Sequence, residues 1–144
     1  MIYTPMTKKA LKLCFDAHKA QTDKSGMPYV FHPFHLAEQM QDEVTTTVAL
    51  LHDVVEDTEY TFADLSEMGF PPAVLDALRL LTHDDAVPYM DYVREVKKNP
   101  VAAAVKLADL RHNSDLSRMD EVTEKVLTRR EKYLQAMQLL LDQE

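Results

Sequence analysis

The segment from Thr45 to Thr58, TTTVALLHDVVEDT, constrains what this chain can fold into more than any other stretch. Placed on an α-helix at about 100° per residue, it sets His52 and Glu56 one turn apart, and Asp53 and Asp57 likewise. The four side chains then share one face about 140° wide. Leu50, Leu51, Val54 and Val55 fall on the opposite side, with Val48 at its edge. Ala49, one turn before Asp53, leaves room beside the polar residues. Three carboxylates and an imidazole on a core helix repel one another and are costly to desolvate. A divalent metal would resolve both problems. The alternative is a solvated acidic face on a surface helix.

Only two glycines (Gly26, Gly69) and no tryptophan in 144 residues argue against a turn-rich β architecture. The length suits one domain, residues 1–144, with a sizeable core. Sixteen Lys and Arg against 24 Asp and Glu give a formal charge of −8, which lacks the footprint of a nucleic-acid binder. An anionic small molecule remains compatible where a metal and local cations offset that field. Cys14 is alone, so no intrachain disulfide forms. No apolar run reaches membrane-spanning length and the N-terminus lacks a signal-peptide core, so a cytoplasmic enzyme or binding module is expected.

Along the chain, Thr7 to about Thr22 has helical apolar spacing. His18 sits late in that helix, where a C-terminus favours a cation, and is expected to brace a neighbour rather than bind metal. Asp23–Phe31, DKSGMPYVF, is a loop whose Lys24, Ser25 and backbone N–H groups could cradle phosphate. His32-Pro33 opens a second helix, with His32 expected near the N-cap in extended geometry and His35 on the surface. Thr61 caps a short helix ended by Gly69, and Pro71-Pro72 start another. Thr82–Asp85 is a polar loop, expected to be solvated, and Pro88–Lys98 is an amphipathic helix. Val101–Leu110 reads as a helix buried nearly all round. Its Asp109 must be protonated, paired with Lys106 or bound to metal, and Asn113 shares its face. Glu121–Gln143 is a closing amphipathic helix expected to pack on its own domain, since Arg129-Arg130 interrupt its apolar stripe.

His32, His52, Asp53 and Asp109 form a mixed nitrogen and oxygen set that suits Mn²⁺, Fe²⁺ or Zn²⁺ better than Ca²⁺ or Mg²⁺. The absence of thiolates argues against structural zinc. Four protein ligands in an octahedral site leave two positions for water and substrate oxygen, the layout of metal-assisted hydrolysis, with Glu56 or Asp57 managing protons. In order and spacing, AHKAQTDKSGMPYVFHP, LLHDVVEDT and VKLADLRHN resemble the HD-domain phosphohydrolases, and among them the hydrolase domain of RelA/SpoT homologues and small stand-alone alarmone hydrolases. The resemblance implies an all-α, compact HD-type helical bundle and a Mn²⁺ ion held by His32, His52, Asp53 and Asp109. It further implies that Glu56 and Asp57 position water and assist the leaving group, and that Lys24, Ser25 and Asn113 hold the nucleotide. The implied reaction removes the 3′-pyrophosphate from guanosine tetra- or pentaphosphate.

Two departures bear on the substrate. Alarmone hydrolases of this family typically carry an Arg-Lys pair where this chain has Asp23-Lys24, and the helix signature reads LADLRHN rather than LADRLHN. An aspartate neither stacks on a base nor supplies a cation. Asp23 either faces a purine or caps the Lys24-Ser25-Gly26 turn. The expectation is therefore intact metal chemistry with altered base recognition. Hydrolysis of another nucleotide or small phosphate ester and non-catalytic nucleotide sensing are the alternatives, and retention of both Glu56 and Asp57 favours an enzyme.

Overall fold

Thr4 caps the first helix, α1 (Pro5–His18): its hydroxyl accepts from Thr7 N, the Thr7 hydroxyl accepts from Thr4 N, and Pro5 occupies the first turn. In this computed structural model, which describes residues 1–142, α1 buries Thr7, Ala10, Leu13, Cys14 and His18, one face of a helix. It stops four residues short of the expected Thr22 because Lys19 and Ala20 are exposed and give another turn nothing to pack. The following loop is pinned instead by an isolated antiparallel bridge between Thr22 and Pro28, with Gly26 at φ +80°.

The second helix, α2 (Phe31–Glu38), begins one residue earlier than expected, so His32 lies in its first turn rather than at an extended N-cap. First-turn N–H groups have no intrahelical partner, so Pro33 sacrifices no hydrogen bond there. Asp42 caps α3 (Glu43–Leu51), accepting from Thr45 N at 2.8 Å. From Thr45 to Leu51 every residue of α3 is buried. The buried Thr46 and Thr47 hydroxyls donate to the carbonyls of Asp42 and Glu43, which removes the penalty of desolvating them. Val48, Leu50 and Leu51 each gain about 1.5–3 kcal/mol from burial. α3 packs against α1 and α2 and is the centre of the fold.

The continuous Thr45–Thr58 helix expected from periodicity is broken. His52 Nδ1 donates to the carbonyl of Ala49 at 2.7 Å, the acceptor that the Asp53 N–H would use in an unbroken α-helix. Asp53 sits at φ −108°, ψ 1°, and a short helix, α4 (Val54–Asp57), follows. Thr61 caps α5 (Phe62–Glu67) through a capping box with Asp64, and Gly69 at φ +92° ends it, both as expected. Pro72 opens α6 (Pro72–Leu81), with Val74, Leu75, Leu78 and Leu81 buried, and α7 (Tyr89–Lys97) follows the polar loop.

Asn99 caps α8 (Pro100–Asn113) with bonds from Val101 N and Ala102 N, and Pro100 takes the first turn. α8 is not buried all round: Ala104 is exposed and Val101 and Ala103 are half-buried. A 3₁₀ turn, Leu116–Arg118, leads to α9 (Glu124–Leu141), which packs on α7 and α8 through Ala136. This is the expected return onto its own domain, although the helix starts three residues after Glu121. The expected end at Gln143 lies outside the described residues. Among the described residues the architecture is entirely helical, and no helix is long and apolar enough to cross a membrane.

Candidate metal centre and adjoining cavities

Three helices deliver the central cluster from their buried faces. His32 comes from α2, His52 from the C-terminal end of α3 and Asp109 from α8. One ligand-type atom from each lies within 4.8 Å of the others. His32 Nε2 is 2.8 Å from Asp109 Oδ1, and His52 Nε2 is 3.6 Å from the same oxygen. Asp53 stands at the edge of the group, its Oδ2 3.0 Å from His52 Nε2 and accepting the Tyr29 hydroxyl. The break after α3 brings His52 and Asp53 to one point as adjacent residues, rather than spreading them along a helix face.

Asp109 is less bare than the sequence suggested. Its Oδ2 accepts from Lys106 Nζ at 3.0 Å and its Oδ1 from Asn113 Nδ2 at 2.9 Å. The Lys106 pairing and the metal-type cluster therefore coexist, and burial of Asp109 alone does not call for an ion. His52 Nε2 does. It is buried, and neither neighbouring carboxylate gives it a hydrogen bond of acceptable geometry. A buried imidazole nitrogen without a partner, aimed at two carboxylates and a second imidazole, fits a divalent cation.

Electrostatics follow from this crowding. Burial would lower the His52 pKa, but Asp53 and Asp109 outweigh it and hold it well above the usual histidine value. Burial would raise Asp109, yet Lys106, His32 and His52 hold it well below the carboxylate range. Asp53 is likewise lowered, against burial, chiefly by His52. Burial and the charges of Asp53 and Asp57 raise Glu56, and burial and Asp53 raise Asp57. Both acids thereby hold a proton more readily than a free carboxylate does.

The cluster sits between two cavities. The smaller, about 160 Å³, is lined by His52, Asp53, Glu56, Lys106 and Asp109, with Tyr89, Tyr92 and His83 closing it. Asp57 lines neither cavity. Its backbone carbonyl accepts from Gln21, whose Oε1 lies 2.9 Å from His18 Nδ1, so His18 braces α4 as expected. The Thr82–Asp85 loop closes on itself: His83 Nε2 lies 2.8 Å from Val87 O, and Asp84 accepts from Ala86 N.

The larger cavity, about 300 Å³, brings together Lys24, Ser25 and Asn113, the three residues singled out for nucleotide, with His32 and Tyr29 on its inner side. Asp23 borders it as well, and Arg118, Arg129 and Tyr133 line it without having been apparent in the sequence. No local spacing links them to the loop, and only the return of α9 over α8 puts them there. The Lys24 ammonium is lowered, by partial desolvation and then by Arg129 and Lys125, as expected where cations converge. Asp23 caps its turn: Oδ1 accepts from Ser25 N and Met27 N at 2.9 and 3.0 Å. It does not point into solvent, since Oδ2 lies 3.7 Å from Arg118 Nη2. His35, exposed as expected, stacks on His112 at 4.1 Å.

An all-helical domain that carries a histidine, a His-Asp pair and a distant aspartate into one buried cluster is an HD-type domain. No protein-family model matches the chain. It is 33% identical over 121 residues to the bifunctional (p)ppGpp synthase/hydrolase SpoT of Escherichia coli K12, a match covering 74% of this chain and 17% of that protein. Over 80 residues it is 50% identical to the guanosine-3′,5′-bis(diphosphate) 3′-pyrophosphohydrolase of Vibrio cholerae, covering 53% of this chain and 11% of the relative. A GTP pyrophosphokinase of Streptomyces coelicolor is 37% identical over 109 residues, 67% of this chain and 13% of its own length. A solved structure of a metazoan ortholog of SpoT that hydrolyzes ppGpp superposes with a TM-score of 0.75 at 25% identity, covering 98% of this chain and 88% of that one. The chain belongs to the SpoT/RelA branch of the HD-domain hydrolases. It spans less than a fifth of the curated relatives' length.

Proposed function

We propose that this chain is a divalent-metal-dependent phosphohydrolase of phosphorylated nucleotides, with guanosine tetraphosphate its leading substrate and Mn²⁺ its leading metal. The reading rests on one observation above the others. A buried, unpartnered His52 Nε2 faces His32 and Asp109 between a cation-rich cavity and a cleft holding a proton-shifted acid, Glu56. His32, His52 and Asp109 would hold the ion, with Asp53 closing the set. A bound divalent ion supplies charge to phosphoryl oxygens and lowers the pKa of water.

The rest of the chemistry belongs to the chain. Lys24, Arg118 and Arg129 attract and hold the substrate's phosphates against the net negative field. Tyr29 and Tyr133 give flat apolar surface for the nucleoside, and Asn113 offers an amide while also holding Asp109. Glu56 takes a proton as water adds to phosphorus, and Asp57 serves the departing oxygen. For a 3′-diphosphate the bond broken joins phosphorus to the 3′ oxygen, and one water is consumed per pyrophosphate released. Names of relatives support this substrate: the Vibrio protein is a 3′-pyrophosphohydrolase and the metazoan ortholog hydrolyzes ppGpp.

The test is release of phosphate or pyrophosphate from a panel of nucleotides with Mn²⁺ present. Pyrophosphate from guanosine tetraphosphate is expected. Turnover of a different nucleotide would reassign the substrate, and binding without turnover of any would make this a sensing module.

A further inference from the structure

We propose that His112 is a positioning residue of the metal site, fixing the ring proton and orientation of His32 so that Nε2 is presented to the ion. This rests on reading the cluster as a metal site. His32 Nδ1 lies 2.7 Å from His112 Nδ1, and the two ring planes are within 7° of parallel. Two imidazole nitrogens at that distance share one proton, so one donates and the other accepts. On the opposite edge of the His32 ring, Nε2 faces Asp109 and His52 within the cluster. A cation there requires a lone pair on Nε2, which leaves the His32 proton on Nδ1. His112 Nδ1 is then the acceptor, and its own proton sits on Nε2.

The acceptor is itself held. The His35 ring stacks against His112 at 4.1 Å between centroids, and Arg118 Nη1 donates to the His112 carbonyl at 2.8 Å. His112 follows Asp109 by three residues, so the two are neighbours about one turn apart on α8. One helix thus provides a ligand of its own and the orienting partner of a ligand on α2. Partners of this kind fix tautomers and typically contribute 10- to 100-fold in metal affinity.

The experiment titrates metal-free protein with Mn²⁺ by calorimetry. His112→Leu, which has no acceptor, is expected to bind about 10- to 100-fold more weakly. His112→Asn, which keeps an acceptor close to the Nδ1 position, is expected to recover most of that loss. Metal-free melting temperatures of the variants check that the effect is not general unfolding. Equal Mn²⁺ affinity in the wild type and His112→Leu overturns the proposal. Absence of Mn²⁺ binding by the wild type overturns the metal-site reading, and this proposal with it. Should the leucine variant fail to fold, ¹⁵N ring shifts of Zn²⁺-loaded wild-type protein decide the matter. Protons on His32 Nδ1 and His112 Nε2 are expected, and the reverse assignment refutes it.

Discussion

Replacing Lys106 with methionine separates the Lys106–Asp109 pair from whatever else holds that carboxylate. At 3.0 Å the attraction between the two charges is about 5 kcal/mol at an effective dielectric near 20. Desolvation offsets part of it, and removing one partner of a buried pair costs about 3–5 kcal/mol. The lower end applies here, because His32 Nε2 and Asn113 Nδ2 remain on Asp109. Methionine keeps most of the apolar stem and, beyond the pair itself, gives up only the ammonium's contacts with the Tyr89 and Tyr92 rings, at 5.7 and 5.3 Å. A loss of about 3 kcal/mol lowers the melting temperature of a chain this size by roughly 6–12 °C. That figure holds in chelator. An ion at the cluster takes over the freed carboxylate, so excess Mn²⁺ should shrink the deficit to about 1 kcal/mol. By the closed cycle the variant then binds Mn²⁺ tighter by about 2 kcal/mol, roughly 30-fold. Thermal melts of both proteins with chelator and with Mn²⁺ measure all four corners. An identical drop in both media would mean that Asp109 does not share its charge with a metal, and the ligand assignment would fail.

Three further outcomes are expected. Glu56→Gln should keep its metal while turnover falls about 10²- to 10⁴-fold, the range for a general acid or base, and an emptied metal site would make Glu56 a ligand instead. Because His52 is raised in the metal-free fold, its contribution is fully present below the unfolded histidine value of about 6.5 and is lost as pH climbs through its higher folded value. Metal-free protein should therefore weaken with rising pH, while the Mn²⁺-induced gain in melting temperature grows, and a gain independent of pH between 5.5 and 8.5, roughly bracketing that unfolded value, would sink this account. Asp23→Arg loses two turn hydrogen bonds and places a second guanidinium beside Arg118, so a lower melting temperature by about 1–2 kcal/mol of stability and no gain in kcat/KM for guanosine tetraphosphate are expected. An improved kcat/KM would show that the charge at position 23, not the turn, governs specificity.

Much of this was legible in the chain because local rules governed it. Thr61, Gly69, Pro71-Pro72 and the buried face of α6 follow from capping and periodicity alone. His32, His52 and Asp109 were found through residue type and order, and the fold brings them together. The break after Leu51 was hidden, since periodicity counts side-chain faces and cannot register an imidazole N–H taking a backbone carbonyl from its own helix. Arg118, Arg129 and Tyr133 were hidden for another reason: each is unremarkable in its own segment, and only tertiary packing gives them a common cavity. His112 lies inside the VKLADLRHN segment, yet its contact with His32 spans 80 residues and leaves no local trace.

The helix α3, enclosed by its neighbours from Thr45 to Leu51, has a consequence for how such a domain diversifies. The residues that would hold the ion hang from the buried faces of α2, α3 and α8, where almost any replacement disturbs packing. The groups that would choose the phosphate ester sit on an edge loop, a 3₁₀ turn and the outer helix α9, where a replacement costs local hydrogen bonds but little core packing. On that reading, ion binding and substrate choice would be under separate mutational control. A lineage could retire one nucleotide and adopt another by redrawing residues such as Arg118 and Arg129, while the inherited chemistry underneath stays untouched.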